Sequence, residues 1–465
     1  MTARARGIGT LWPGGLAAAL ALGLLAAAEP VIAVGVVLGV AFAFLVFADL
    51  AAGFAVLALL SFLQVLPTSG GLSLDKAAGL LLAVAWLARF STRQRERDFF
   101  AEFPLLTWAG VAFLAWAGLS LLWATDTGHG ISAIARYAPD MLLLPIAYMA
   151  IRTRRDLLIV LGAIVIGAVI AAAFGILQPP SSTGLSESAE RATGTIGDPN
   201  ELAAALLLGV GLGVGLALSR ERFVALRLGG AVAIPICAAG IFLSLSRGGL
   251  IALAALLVAG TVLGGRWRGV VTGFLVLVAV AGVLYFTQVA SLPARERVTT
   301  AAGGSGRSDL WTIGLRMVKT HPLEGVGVGN FQVLSAAYVL QPGILKRTEL
   351  IFASVPRITH NTYLEVTSEL GIPGFLLFML IVVGSLACAL RAARLWSKHG
   401  DIGMEALARG ALLALIGMLV ADFFISQTYD KLLWIMLALG PAMLALAHRE
   451  DQDRDDVLSG MSISA

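Results

Sequence analysis

A long polar segment interrupts an otherwise strongly apolar chain. It extends from about Ala290 to Leu370 and contains GRSDLW at residues 306–311 and HNTYLE at residues 360–365. The chain on both sides consists of apolar runs that are long enough to cross a bilayer as helices. The sequence therefore predicts a helical membrane scaffold, with the chemistry carried by this segment and by arginines from other loops.

The composition restricts the class of protein. The 465 residues are 58% hydrophobic and 13% charged, with a mean hydropathy of +0.88. No soluble fold buries so much apolar surface, so the composition predicts an all-α polytopic membrane protein embedded in a lipid bilayer. The net charge of +4 is small and unclustered, which gives no indication of nucleic-acid binding. Cys237 and Cys388 lie within apolar runs and predict neither a disulfide framework nor a metal site.

Apolar runs predict 12 to 14 membrane helices. The runs 30–48 and 51–67 are separated by little more than Asp49, so they are either a hairpin or one distorted segment. The first run follows Arg4 and Arg6 and resembles a signal peptide, although we interpret it as a retained helix. The fourteen candidates are residues 11–28, 30–48, 51–67, 74–90, 104–123, 135–151, 156–177, 201–219, 226–245, 248–264, 268–288, 371–391, 405–424 and 431–448.

Charge predicts the orientation of these helices. Short cytoplasmic loops of membrane proteins are enriched in arginine and lysine. With both termini in the cytoplasm of a bacterial inner membrane, every short cytoplasmic loop would be basic. The polar segment would then lie on the periplasmic or extracellular face. The cations in those cytoplasmic loops are Arg93, Arg95, Arg97, Arg152, Arg154, Arg155, Arg220, Arg222, Arg266, Arg268, Arg391, Arg394 and Lys398.

The chain divides into five predicted units. The polar segment acts as a lid that is partly helical, and an acidic, disordered cytoplasmic tail ends the chain. The units are N-terminal membrane helices (1–177), membrane helices with the Arg191 and Arg247 loops (178–288), the large periplasmic loop (289–370), C-terminal membrane helices (371–448) and the tail (449–465).

Within the polar segment we expect two helices. The first is capped by Ser308 and extends to about Lys319, with Leu310, Trp311, Leu315 and Val318 on one face that could lie on the membrane surface. The second begins near residue 360 and places Asn361, Glu365 and Glu369 on one face by i, i+4 spacing. It should end at the sequence Gly371-Ile372-Pro373-Gly374.

Three arginines are candidate anion ligands, because a guanidinium offers two donors to one phosphate. Arg307 opens the first helix of the polar segment and is followed by Trp311, which can fix it at the interface. Arg247 lies in a tight Ser-Arg-Gly-Gly turn, and Arg191 precedes Gly197-Asp198-Pro199-Asn200. The alternatives are an interfacial arginine on lipid phosphates for Arg307 and a snorkelling helix-end arginine for Arg247. In the last motif, Asp198 or Asn200 is expected to cap a helix.

His360 is the candidate general base, since imidazole titrates near neutral pH and the residue abuts a helix at the membrane. Its alternative is an ordinary polar residue at a helix start. His321 competes for the role, but its His-Pro context indicates the end of a helix. No acidic pair or Cys/His cluster lies in the outer segments, so the sequence predicts no metal site and no cofactor.

Taken together, these motifs resemble the O-antigen ligase and O-antigen polymerase superfamily. His360 precedes Gly371 by the spacing of that family's histidine motif, and Arg247 is placed like its first arginine. Three further stretches are family-like: GRSDLW, HPLEGVGVGNF at 321–331, and GDPN at 197–200. The match extends over about residues 190–430, and the N-terminal helices match only in number.

The resemblance implies a C-type glycosyltransferase-like fold and a role in lipopolysaccharide or other cell-envelope polysaccharide biosynthesis. The donor would be a glycan on undecaprenyl pyrophosphate, attacked with inversion by a hydroxyl of a glycan, lipid A-core or other acceptor. His360 would deprotonate or orient that hydroxyl. Arg307, Arg247 and Arg191 would hold the pyrophosphate without a metal.

The family does not fix the acceptor. Ligases, repeat-unit polymerases and protein-glycosylating relatives share these motifs, and the histidine spacing favours a ligase. In a different class, a lipid-glycan or solute transporter would explain intramembrane carboxylates such as Asp140 and Asp422. A transporter does not explain the cationic loop, and a non-catalytic scaffold protein explains less.

Overall fold

The structure is a computed structural model. It describes residues 20, 24, 27–65, 73–92, 98–178, 191–219, 224–299, 307–339 and 358–463, and in these ranges the regular structure is helical. Several residues discussed above lie outside them, including Arg4, Arg6, Arg93, Arg95, Arg97, Arg220, Arg222 and Gly306.

Eighteen helices organise the described chain. They are α1 (Pro30–Ala48), α2 (Leu50–Leu60), α3 (Leu74–Thr92), α4 (Phe99–Glu102), α5 (Pro104–Leu119), α6 (Thr127–Met141), α7 (Leu143–Ala150), α8 (Arg154–Leu177), α9 (Pro199–Leu218), α10 (Val224–Leu243), α11 (Arg247–Leu263), α12 (Arg268–Leu284), α13 (Leu292–Thr299), α14 (Arg307–Thr320), α15 (Phe331–Val339), α16 (Thr362–Lys398), α17 (Ile402–Ala421) and α18 (Lys431–Ile463). Single turns at Ser120–Leu122 and Gly265–Trp267 and a π-helical turn at Tyr285–Val289 join some of them.

The chain is an all-α, multi-pass membrane protein, as its composition predicted. Eight of the described helices are long and apolar enough to cross a bilayer, and three apolar helices are shorter: Ala33–Ala48, Leu50–Leu60 and Arg247–Leu263. Asp49 separates α1 from α2, because its carboxylate caps α2 by accepting the N–H groups of Ala51 and Ala52. Residues 30–60 therefore form two helices.

Helix α9 lies at the centre of the bundle, and glycines allow its close packing. A Cβ on Gly211 would lie 2.7 Å from backbone atoms of Ala414 in α17. A Cβ on Gly410 would lie 2.7 Å from the Cα of Gly215. Because small residues let helix backbones approach in a membrane, α9 and α17 form the rigid centre from which the loops project.

The structure differs from the sequence prediction at two places in the membrane bundle. The predicted span 135–151 is divided at Leu142 between α6 and α7, where Pro139 and Pro145 remove backbone donors. The last helix continues to Ile463, past residue 448, where we had expected a disordered tail to begin. Contacts to other helices hold the extension: Glu450 pairs with Arg154 at 2.6 Å and accepts the indole N–H of Trp396 at 2.9 Å.

One face of the bundle is linked by ion pairs that involve predicted cytoplasmic arginines. Arg154 contacts Asp401 at 2.7 Å, in addition to Glu450. Arg266 contacts the buried Glu405 at 3.0 Å. We call this the opposite face, and we call the face that carries Arg191, Arg247 and His360 the site face.

Candidate active site

Arg191 is fixed against the turn that leads to Arg247. Its Nε donates a hydrogen bond to the carbonyl oxygen of Ser244 at 2.9 Å, and its Nη2 donates to Asn200 Oδ1 at 3.0 Å. The hydroxyl of Ser246 donates to the same amide oxygen at 3.0 Å. The structure therefore brings together the two loops that were predicted to supply anion ligands.

Arg247 is the first residue of α11. Ser246 caps this helix by accepting the N–H of Gly249 at 3.2 Å, and Leu245 has a φ of 48°, which few residues other than glycine adopt. This sharp turn leaves Arg247 at a helix N-terminus, where unpaired backbone N–H groups and the helix dipole favour an anion. The GDPN motif is also a helix start, since Asp198 accepts the N–H groups of the first turn of α9 at 2.7 and 3.1 Å.

The connection between α17 and α18, residues 422–430, joins the remaining parts of the site, and we call it the hub loop. A Cβ on Gly248 would lie 2.7 Å from the Cβ of Phe424, so this loop packs directly beside Arg247. The ring of Phe423 makes an edge contact with Trp311, with centroids 5.3 Å apart. Trp311 thereby holds the first turn of α14, which begins at Arg307, against the hub loop.

His360 is held over the same loop by its neighbours. Thr359 Oγ1 lies 2.8 Å from Ser426 Oγ, and the N–H of Thr362 donates to the carbonyl oxygen of Ile425 at 2.9 Å. His360 itself has a φ of 47° and is partly exposed. A residue held in such a sparsely populated conformation is a mark of functional sites, because the surrounding contacts must compensate for the strain.

Asn361 and Glu365 lie beneath His360. Asn361 is the N-cap of α16, and its Oδ1 accepts the N–H of Leu364 at 3.0 Å. Asn361 and Glu365 are 4% and 7% exposed, so both are buried in the packing that orients the helix. A supporting role of Asn361, Glu365 and Trp311 around His360 and Arg307 stays a prediction.

A glycine-rich turn, Gly325–Asn330, fixes the lid to the end of the His360 helix. The carboxylate of Glu369 accepts the N–H groups of Gly329 and Phe331 at 2.8 and 3.2 Å. Gly371 follows with a φ of 67°, and a Cβ there would lie 2.1 Å from the carbonyl oxygen of Leu323. The spacing from His360 to Gly371 is therefore the length of a short helix that ends where the turn docks.

The described part of the lid, residues 307–339, has a small core of its own. The buried face of α14 is formed by Leu310, Ile313 and Met317, which pack with Phe331 and neighbouring residues. Leu315 is 54% exposed, and Trp311 and Val318 are partly exposed, so the membrane contact of the face that contains them stays a prediction, whereas Leu310 is buried in this core. Packing against α15 and α16 buries the i, i+3, i+7 face. Ser308, the expected cap, lies inside the helix, which begins at Arg307.

The other histidines lie in different settings. His321 follows the end of α14 and contacts the Glu324 carboxylate at 2.9 Å, a hydrogen bond that lowers the pKa of Glu324. His129 pairs with Asp126 at an exposed helix start. His399 and His448 lie on the opposite face, where they contact Asp451 and Glu102. Among the five histidines, His360 is the one attached to the hub loop.

Sequence reasoning missed three side chains of the site face: Arg136, Gln427 and Lys431. Arg136 lies over the Tyr429 ring, with its guanidinium carbon 5.4 Å from the centroid, and Lys431 forms an ion pair with Asp75. Arg136 and Lys431 could have been found as ionisable residues inside or beside apolar runs, which mark functional sites in membrane proteins by default, whereas the uncharged Gln427 gave no such signal. Among the described residues, no group of three His, Cys, Asp or Glu side chains could hold a metal ion.

Comparison with known families agrees with the motifs. Residues 231–379 match the family model described as O-antigen ligase, about a third of the chain. The matched region contains Arg247, Arg307, His360 and the Gly371 break, and it excludes Arg191. No curated protein matched the chain. The match confirms the resemblance to the O-antigen ligase and polymerase family and supports an O-antigen ligase-like function for this multi-pass membrane protein.

Proposed function

We propose that this protein transfers a glycan from undecaprenyl pyrophosphate to an acceptor hydroxyl, with lipid A-core as the favoured acceptor. The observation that carries the proposal is the hub loop, which contacts the helix starts of Arg247 and Arg307 and the strained segment at His360. A cationic group and a general base brought to one loop suit the displacement of a pyrophosphate leaving group by a hydroxyl.

The proposed roles follow from the chemistry of each group. Arg247 and Arg307 bind the pyrophosphate and stabilise the charge that develops on its terminal phosphate oxygen as the bond from that oxygen to the anomeric carbon breaks. Arg191 supports the Arg247 turn and adds positive charge. His360 accepts the proton of the attacking hydroxyl as that oxygen bonds to the anomeric carbon. Because the leaving group is already a stabilised anion, the proposed reaction needs no metal, and attack opposite the pyrophosphate inverts the anomeric centre.

An apolar groove beside Arg247 supports a lipid-linked donor. It has a volume of about 410 Å³ and lies between α11, α12 and the end of α10. Leu250, one turn after Arg247, lies in it, followed by Leu253 and Leu257 along the same helix face. A polyprenyl chain in this groove would leave its pyrophosphate at the N-terminus of α11. The arginine-rich loops support the further proposal that the reaction takes place on the periplasmic or extracellular face of the inner membrane, with both termini in the cytoplasm.

Transfer in proteoliposomes tests the proposal. Purified protein would be given undecaprenyl-pyrophosphate-linked O-antigen and lipid A-core, and the product would be identified by mass spectrometry. We expect His360→Ala to lower kcat by about 10²- to 10⁴-fold, the range of a general base. We expect Arg307→Ala to lower kcat/KM by a comparable factor, because it removes a charge-assisted contact to the leaving group.

His321→Ala is the matched control, since it removes a histidine of the lid that pairs only with Glu324 among the contacts described above. It should transfer glycan at the wild-type rate. Folding of each variant would be compared by thermal unfolding in detergent. Full activity in both His360→Ala and Arg307→Ala would contradict the proposed function. Movement of labelled donor between leaflets without product would favour the transporter instead.

A further inference from the structure

A second, polar cavity lies on the site face beside the candidate active site. Its volume is about 410 Å³, within the range of about 300–1,000 Å³ typical of small-molecule sites. Its walls come from the end of α2, the start of α3, helices α6 and α9, and the hub loop. Hydroxyl, amide, carboxylate and aromatic side chains line it, among them Ser61, Gln64, Ser73 and Tyr429.

Two lining residues connect this cavity to the proposed reaction centre. Ser426 lines it, and its hydroxyl contacts Thr359, the residue before His360. Glu201 also lines it and directly follows Asn200, which accepts a hydrogen bond from Arg191. A ligand in the cavity would therefore lie next to the segments that carry His360 and contact Arg191.

The charges of the cavity do not suit a phosphate. Three carboxyl groups, of Asp75, Glu201 and Asp430, face two cations, Arg136 and Lys431. Lys431 is paired with Asp75, and Arg136 lies over the Tyr429 ring. The carboxyl groups thus outnumber the cations, in contrast to the loops of Arg191 and Arg247. This balance of charges favours an uncharged polar ligand.

Gln427 supplies an acceptor that requires a donor. Its side chain is 3% exposed and lines the cavity, and its Oε1 accepts no hydrogen bond in the described structure. A buried acceptor without a partner destabilises the structure, and a ligand hydroxyl that donates to it from the cavity would relieve this cost. Amide, hydroxyl and carboxylate oxygens are groups that can hydrogen-bond to the hydroxyls of a sugar.

We propose that this cavity is a carbohydrate subsite that binds an uncharged sugar ring, with one ring hydroxyl donating to Gln427 Oε1. The inference rests on the proposed function and deepens it, because it identifies a place for a sugar next to His360. The ring belongs either to the donor glycan, next to its pyrophosphate, or to the acceptor. The hydrogen-bonding chemistry is the same for both.

Direct binding tests the subsite without catalysis. Saturation-transfer NMR on the full-length protein in nanodiscs would use methyl glycosides of glucose, galactose and N-acetylglucosamine, with methyl glucuronide as the charged comparison. We expect wild type and His360→Ala to bind at least one neutral glycoside in the millimolar range. Gln427→Met should weaken that binding at least tenfold while unfolding at the same or a higher temperature, because an apolar isostere removes the unpaired acceptor. If Gln427 only stabilised the fold, Gln427→Met would unfold at a lower temperature and would bind the glycoside as tightly as wild type.

A cavity-filling pair provides the second readout. Ser73→Trp should abolish glycoside binding, and Thr127→Trp should leave it unchanged, since Thr127 is exposed outside the cavity. In the transfer assay, Ser73→Trp and Gln427→Met should raise KM for one substrate, and which substrate changes identifies the donor or the acceptor as the source of the ring.

Three results would overturn the subsite: wild type that binds no neutral glycoside, equal binding by Gln427→Met, or glucuronide bound more tightly than the neutral sugars. Failure of wild type to transfer glycan would contradict only the proposed function, because glycoside binding is measured without any transfer.

Discussion

The segments that carry Arg247 and His360 each contain a residue with a strained backbone. Leu245, two residues before Arg247, has a φ of 48°, and His360 has a φ of 47°. A hydrogen bond to Asn200 fixes the segment before Arg247, and contacts with the hub loop fix the segment at His360. Strain maintained by this many contacts orients a side chain before substrate arrives, which is the condition for electrostatic stabilisation of a leaving group.

Arg247→Lys tests the geometry of the arginine rather than its charge. Lysine keeps the positive charge but loses the planar fork that holds two oxygens of a pyrophosphate. Loss of one charge-assisted hydrogen bond, about 1.5–3 kcal/mol, predicts a fall in kcat/KM of about 10- to 100-fold. Steady-state transfer kinetics would measure it. Arg316→Lys on the lid is the matched control, and equal kinetics in the two variants would contradict a pyrophosphate contact at Arg247.

At this scale the sequence identified residues that stand in short motifs and missed those defined by tertiary packing. Arg191, Arg247, Arg307 and His360 are polar residues in compact, recognisable stretches. Gln427 lies in the hub loop, where no local pattern announces that its amide is buried against a cavity. Its surroundings come from α2, α6 and α9, and a single sequence does not reveal which of these helices meet.

Among the elements, the lid depends on one carboxylate at the end of a short helix. Both oxygens of Glu369 accept backbone N–H groups of the glycine-rich turn, and Val326 and Gly327 donate to carbonyl oxygens just before Gly371. The helix, its break and the turn thus form one unit. The glycines were evident in the sequence, but their contact with Glu369, which follows Gly329 by 40 residues, was not.

Glu369→Gln should loosen the lid. The amide retains one acceptor oxygen, so one of the N–H groups of Gly329 and Phe331 loses its partner, at a cost of about 1–3 kcal/mol. We expect faster hydrogen exchange at these two amides and within residues 307–339, measured by mass spectrometry. Glu324→Gln, which removes an exposed carboxylate that pairs with His321, should leave exchange unchanged. Identical exchange in Glu369→Gln and wild type would refute the docking role.

Helix periodicity alone did not show which face of α14 packs inside the lid. Leu310 belongs to two possible stripes of α14, and the sequence contains apolar residues on both. Packing against Phe331 and Val326 selected the stripe with Ile313 and Met317. Helix existence and ends followed from caps and prolines, whereas the choice of face required the neighbours.

For the whole molecule, ion pairs tie distant helices together on both faces of the bundle. On the opposite face, Arg154 is paired with Asp401 and Glu450. On the site face, Lys431 is paired with Asp75, and Arg191 donates to a carbonyl and an amide oxygen that fix it against the Arg247 turn. Which of the two faces lies in the cytoplasm stays a prediction from the arginine-rich loops.

Cysteine labelling tests that orientation. The two native cysteines are buried, so background labelling should be low. Thr125→Cys on the site face and Gln452→Cys on the extended last helix are both exposed positions. In intact cells, a membrane-impermeant maleimide should label the first and should label the second only after permeabilisation, because arginine-rich loops remain in the cytoplasm. The reverse pattern would place His360 in the cytoplasm, away from any glycan already carried to the outer leaflet, and would rule out the proposed donor geometry.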